Sequence, residues 1–193
     1  MKTATVTAGL AAGLALAATP AFAHGGEAMP SLGSGLLHPL TGLDHVLAMG
    51  AVGLWAGIQG GRATWALPAA FLAMTMAGAG LAVAGWTLPL VEAGILASVV
   101  IVGLLVARMV ALPAVYGAAL VGAFAVLHGQ AHGADAPAGL GAVLYAAGFV
   151  LTTAGLLVAG LGLAALAGGR LSPVWVRGAG AVTAACGLVL AVI

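Results

Sequence analysis

The sequence predicts an all-α, polytopic helical membrane protein, with about six transmembrane helices behind a cleaved signal peptide. Three observations predict it. Of 193 residues, 63% are hydrophobic and only 5% charged, with a mean hydropathy of +1.23, whereas a soluble domain carries about a quarter charged residues. Apolar segments of bilayer-crossing length follow one another with only short Gly/Pro/Arg breaks between them. The first residues carry a leader. The same arithmetic excludes soluble enzymes, nucleic-acid binders and disordered tails. A net charge of +1 leaves no basic patch for a polyanion, and the lone Cys186 excludes a disulfide framework or a multi-cysteine metal site. A strand barrel is excluded because the segments are apolar throughout instead of alternating.

The elements follow in order. In residues 1–23, Lys2 supplies the positive start, residues 8–18 are apolar, Pro20 breaks the run, and Ala21-Phe22-Ala23 is an A-x-A cleavage site. The competing reading, an uncleaved first helix, has too short an apolar stretch for the ~20 residues a span needs. Cleavage leaves residues 24–193 as a single transmembrane helical-bundle domain that starts at His24 outside the cytoplasm. Spans are expected at about 36–58, 64–84, 90–110, 114–131, 139–167 and 174–193, the fifth long enough to tilt or bend. Gly53, Gly57 and Gly61 form one small-residue ridge, and Gly129 with Gly133 another, of the kind that lets helix backbones approach closely in lipid. Tyr116, Tyr145 and the four tryptophans near span ends read as interface anchors.

Orientation follows from the arginines. With the mature N-terminus outside, the turns near 59–63, 111–113 and 168–173 face the cytoplasm, and Arg62, Arg108, Arg170 and Arg177 lie in or beside them, as the positive-inside rule requires. All five histidines and all four acids then fall on the outer side. Ionisable groups at membrane depth are costly and face a bundle interior or cavity, so a one-sided collection marks a site.

Two clusters compose it. His128 and His132 are four residues apart, which on a helix brings two rings to one face about 6 Å apart. That spacing suits one divalent ion, and Asp135, another turn along, offers an oxygen. A pair of histidines hydrogen-bonding at the interface is the competing structural reading. The earlier cluster is His38-Pro39-Leu40-Thr41-Gly42-Leu43-Asp44-His45. In one continuous helix, His38 and His45 would lie about 10 Å apart along the axis, too far for one ion. Pro39 and Gly42 make continuity doubtful, and Thr41 followed by Asp44 matches a capping box. A helix beginning near Thr41, with His38 on a loop folding back, would join the two. Asp44 is then either a cap or a ligand. Glu92 opens the third span at the same face. His24, with its free α-amino group after cleavage, would form a small chelate beside Glu27, or be merely a terminal residue. Met49, Met74 and Met76 read as core packing.

Imidazole and carboxylate without thiolate suit Zn, Ni, Co, Cu(II) or Fe(II), and the residues alone do not separate these. No P-loop supplies an ATPase, and no G-x-S-x-G elbow or serine–histidine pattern supports a hydrolase.

The first motif continues as Val46-Leu47-Ala48-Met49, and the second reads His128-Gly129-Gln130-Ala131-His132-Gly133. On these anchors the chain resembles the HupE/UreJ family of hydrogenase and urease accessory membrane proteins, regarded as nickel permeases. The resemblance implies that His38, Asp44, His45, His128 and His132 serve nickel, and Val91-Glu92-Ala93-Gly94 looks family-like as well. Two departures stand out: the second motif commonly ends in glutamate where this chain has Asp135, and many members carry a histidine where this chain has Leu157.

The reading that results is a permease, not an enzyme, of the bacterial cytoplasmic membrane. It takes up Ni²⁺, with Co²⁺ as second candidate, for hydrogenase or urease maturation. Capture should weaken below the ordinary imidazole pKa of about 6.5, because only neutral imidazole ligates. No prosthetic group is expected. The expected partners are the Ni²⁺ ion, the lipid bilayer and either a second copy of the chain or a metallochaperone, with no nucleic acid. The alternative is a non-transporting accessory protein that binds metal or serves as a scaffold for metalloenzyme assembly, and the sparse polar content of the inner half favours it. A third reading is a proton-linked channel or exchanger.

Overall fold

A computed structural model describes residues 31–134, 140–170 and 173–193. Among these residues the regular structure is entirely helical: α1 (Leu32–Thr41), α2 (Leu43–Gln59), α3 (Ala63–Val83), α4 (Val91–Ala107), α5 (Ala114–Ala134), α6 (Leu140–Arg170) and α7 (Pro173–Leu190). Helices α3, α5, α6 and α7 are long and apolar enough to cross a membrane, and α1 with α2 makes a fifth such unit bent by 84°. Helix α4 is apolar but only 17 residues long. The chain is thus a polytopic helical membrane protein. The leader expected at residues 1–23, His24 and Asp135 lie outside the described residues.

The first expected span is two helices. Ser31 and Ser34 form a reciprocal capping box that starts α1, and Pro39 is accommodated within it. The break falls at Gly42, in extended conformation (φ −95°, ψ 117°). His38 therefore sits on a helix, and the loop expected there is absent. The Thr41/Asp44 capping box does not form either. Gly42 occupies the cap position of α2 with no side-chain hydrogen bond, and the Thr41 hydroxyl turns back to donate to the His38 carbonyl at 2.7 Å, competing locally as threonine does. A Cβ on residue 42 would stand 2.8 Å from both Asp44 Oδ1 and His45 Nδ1, so the corner admits only glycine without displacing the site.

Glycine brings four pairs of helices into backbone contact. Gly53 and Gly160 press α2 onto α6, Gly78, Gly129 and Gly133 press α3 onto α5, and Gly103 and Gly180 press α4 onto α7. Gly35 and Gly148 do the same between α1 and α6. Of the two ridges expected, Gly129/Gly133 holds. Gly53 and Gly57 face α6, but Gly61 lies in the turn before α3 with φ +54°. Such contact without a hydrophobic drive is how apolar helices associate in lipid.

The alternating helices leave a polar group at each end of the bundle. His38, Asp44, His45, His128 and His132 lie at one end, and the exposed side chains of Arg62, Arg108 and Arg177 at the other. At the arginine end, Trp55 Nε1 donates to the Val110 carbonyl (2.8 Å) and Leu112 N–H donates to Gln59 Oε1 (2.8 Å). Trp55 is fully buried, so it is a core residue and no interface anchor. Trp65, Trp86, Trp175 and Tyr116 are exposed, as anchors require.

Candidate metal centre

Three helices deliver the site. The 84° bend turns α1 across the start of α2, so the His38 and His45 ring centroids are 6.4 Å apart instead of about 10 Å along one axis. From α5, His132 enters between them. Its Nδ1 lies 3.0 Å from His38 Nε2, and its Nε2 lies 2.5 Å from His45 Nε2. His128, one turn along α5, has its ring centroid 5.5 Å from that of His45. Asp44 Oδ2 stands 3.0 Å from His45 Nδ1, an ion-pair distance in which the angle of a hydrogen bond is not met. A small turn of the ring lets Nδ1–H donate to that carboxylate, and an imidazole so bonded is oriented with its other nitrogen left to ligate.

His128 is the best prepared ligand. Its Nδ1–H donates to the Phe124 carbonyl at 3.0 Å, which leaves the lone pair on Nε2, a buried atom with no partner. That backbone–histidine arrangement is the one a metal-binding imidazole uses. His132 differs, since its two nitrogens face two different histidines, and one ring cannot present both to a single ion. Among the described residues no three of the His, Cys, Asp and Glu groups close round one point as a formed metal site. Two nitrogens on one ion at 2.0–2.1 Å lie roughly 3 Å apart. The His38–His132 edge, at 3.0 Å, already has that spacing, so modest ring rotation lets an ion replace a nitrogen–nitrogen contact.

Of the predicted site residues, His38, Asp44, His45, His128 and His132 are brought together. Glu92 is not: it lies exposed in the first turn of α4, and no hydrogen bond or ion pair among the described residues joins it to the histidines. Leu157 is buried two turns beyond Phe149 on α6, its carbonyl against Gly53, so a histidine there would lie in the packing of α6 on α2.

Sequence reasoning missed several contributors. The Phe149 ring lies tilted with its centroid 4.5 Å from that of His132, and Tyr145 lies 5.7 Å from that of His38. Tyr145 is thus part of the site wall. Gln130 sits between the two α5 histidines and clamps the segment after α3: its Nε2 donates to the Gly78 and Trp86 carbonyls (3.2 and 3.0 Å), and its Oε1 accepts from Leu88 N–H (3.2 Å). A lone amide inside an apolar helix was the available signal.

The HupE / UreJ protein family profile matches residues 12–190. The chain belongs to the HupE/UreJ family. It is 42% identical over 181 residues to "Protein HupE" of Rhizobium leguminosarum bv. viciae, covering 93% of this chain and 95% of that protein. No solved structure matches it. In this HupE/UreJ member, both histidine motifs that carried the resemblance meet at one site.

Proposed function

We propose that the chain is a permease of the cytoplasmic membrane, taking up nickel, with cobalt the second cargo, for hydrogenase or urease maturation. The observation that supports it is the convergence of His38, His45, His128 and His132 from three helices at the end of the bundle opposite the arginines. By the positive-inside rule that end faces outward, behind a leader cleaved after Ala23. An ion arriving there is captured by the imidazoles while Asp44 orients His45, and it is released to metalloenzyme assembly, directly or through a metallochaperone. Glu92, Asp135 and His24 would act on the approach to the site, before capture. A site built of imidazole nitrogens favours Ni²⁺ and Co²⁺ over oxygen-seeking Mg²⁺ or Ca²⁺.

Proteoliposomes containing this protein alone test the proposal. Accumulation of Ni²⁺, with competition by Co²⁺ and none by Mg²⁺, is the expected result. If Ni²⁺ binds but does not cross, the accessory, non-transporting reading replaces it.

A further inference from the structure

One helical turn, about 5.4 Å, beneath the rings of His38, His45 and His132 lies a second polar layer. Helix α5 places His128 there, fully buried, with Nε2 unpartnered. Helix α3 places Thr75 at the same level, since Gly129 packs against the Thr75 carbonyl. Helix α6 places Thr153 there, one turn past Phe149, whose ring touches that of His132. Thr75 is 3% exposed and Thr153 0%, and neither hydroxyl has a hydrogen-bond partner. Thr75 also lines, with His132, Tyr145 and Phe149, a cavity of about 280 Å³ between α3, α5 and α6.

The orphaned hydroxyls run against the rest of the molecule. Thr152, next to Thr153, donates to the Leu36 carbonyl at 2.8 Å, and Ser98 donates to the Ile95 carbonyl at 2.6 Å. A helical threonine or serine has a carbonyl of the preceding turn within easy reach, and leaving a buried hydroxyl unpaired is costly. Two helices bear that cost at the level where a third presents a lone-pair nitrogen.

We propose that Thr75 Oγ1 and Thr153 Oγ1, beside the innermost imidazole of the metal centre (His128 Nε2), form a second, inner binding step for a divalent transition-metal ion, the first acceptor of an ion leaving the rings of His38, His45 and His132. This rests on the permease reading and deepens it. Neutral hydroxyls replace part of an ion's hydration shell without a charge to trap it. Conduction requires such a step, favourable enough to enter and weak enough to leave.

The test uses the full chain with Ni²⁺ alone as probe. In the double variant Thr75→Val/Thr153→Val, uptake into proteoliposomes should fall by about tenfold or more. Equilibrium Ni²⁺ binding in detergent should stay within about twofold, a smaller change than the 10–100-fold that supporting partners of a ligand are worth. The melting temperature without metal should hold or rise, because two unpaired buried hydroxyls are gone, and Thr75→Ser/Thr153→Ser should restore uptake. Undiminished uptake overturns the proposal, and so does a parallel loss of binding or of thermal stability. Should the double variant fail to reach the membrane, the single variants are read by the same criteria. Wild-type protein that does not accumulate Ni²⁺ at all overturns the permease reading itself.

Discussion

At one end of the bundle, four imidazoles and a carboxylate from α1, α2 and α5 stand within ring contact of one another. At the other, Arg62, Arg108 and Arg177 stand exposed and apart, and the polar side chains that are engaged, Trp55 and Gln59, bond main chain. The difference separates two uses of polarity in an apolar protein. Side chains that satisfy backbone stabilise turns and tolerate exchange with another group of the same hydrogen-bonding sense. Side chains that satisfy mainly each other are available to a ligand, because an ion can take the place of their mutual contacts.

That contrast breaks most sharply at its centre. His132→Ala removes the ring that touches both His38 and His45, and Ni²⁺ binding by isothermal titration should weaken by roughly 100-fold or more, beyond the 10–100-fold worth of a ligand's supporting partners. Asp44→Asn keeps the volume but loses the carboxylate behind His45, so the expected loss falls within that range of about 10–100-fold. An unchanged affinity would make Asp44 a bystander. Gly129→Ala sets a methyl against the Thr75 carbonyl; overpacking of this kind costs about 1–3 kcal/mol, read as a lower melting temperature in detergent, with the His128/His132 spacing disturbed alongside. At the arginine end, Trp55→Phe leaves the Val110 carbonyl without its donor for about 1 kcal/mol and no change in metal affinity. Arg177→Gln should alter stability by less than about 0.5 kcal/mol; a loss of Ni²⁺ binding in that variant would erase the distinction between the ends.

The distribution of polar groups was legible without coordinates, because charge in lipid is so unfavourable that position alone carries meaning. So was the His128/His132 pair, whose separation is a property of one helix. What could not be read is whatever depends on how helices meet. The route of His38 to His132 needs the 84° corner at Gly42. Thr41 and Asp44 fit a capping pattern, yet Gly42 between them took the cap position and left Asp44 for His45. Leu157 looked like a vacated ligand position, and it is buried against α2. Thr75 and Thr153 are ordinary helical threonines until their neighbours are known. Glu92 shares the right end of the bundle with the histidines but not their company.

The glycine contacts also say something about assembly. The partner of α2 is α6, that of α3 is α5, and that of α4 is α7; none of these tight pairs joins helices adjacent in the chain. As the polypeptide is inserted span by span, the first half emerges with its small-residue ridges uncovered and its two first-motif histidines without their α5 partners. Those ridges are closed only when later spans arrive to fill them. A ribosome stalled after α4 would leave four helices, α1 to α4, each still lacking its glycine-packed partner, and the metal centre would hold its first-motif residues without either α5 histidine.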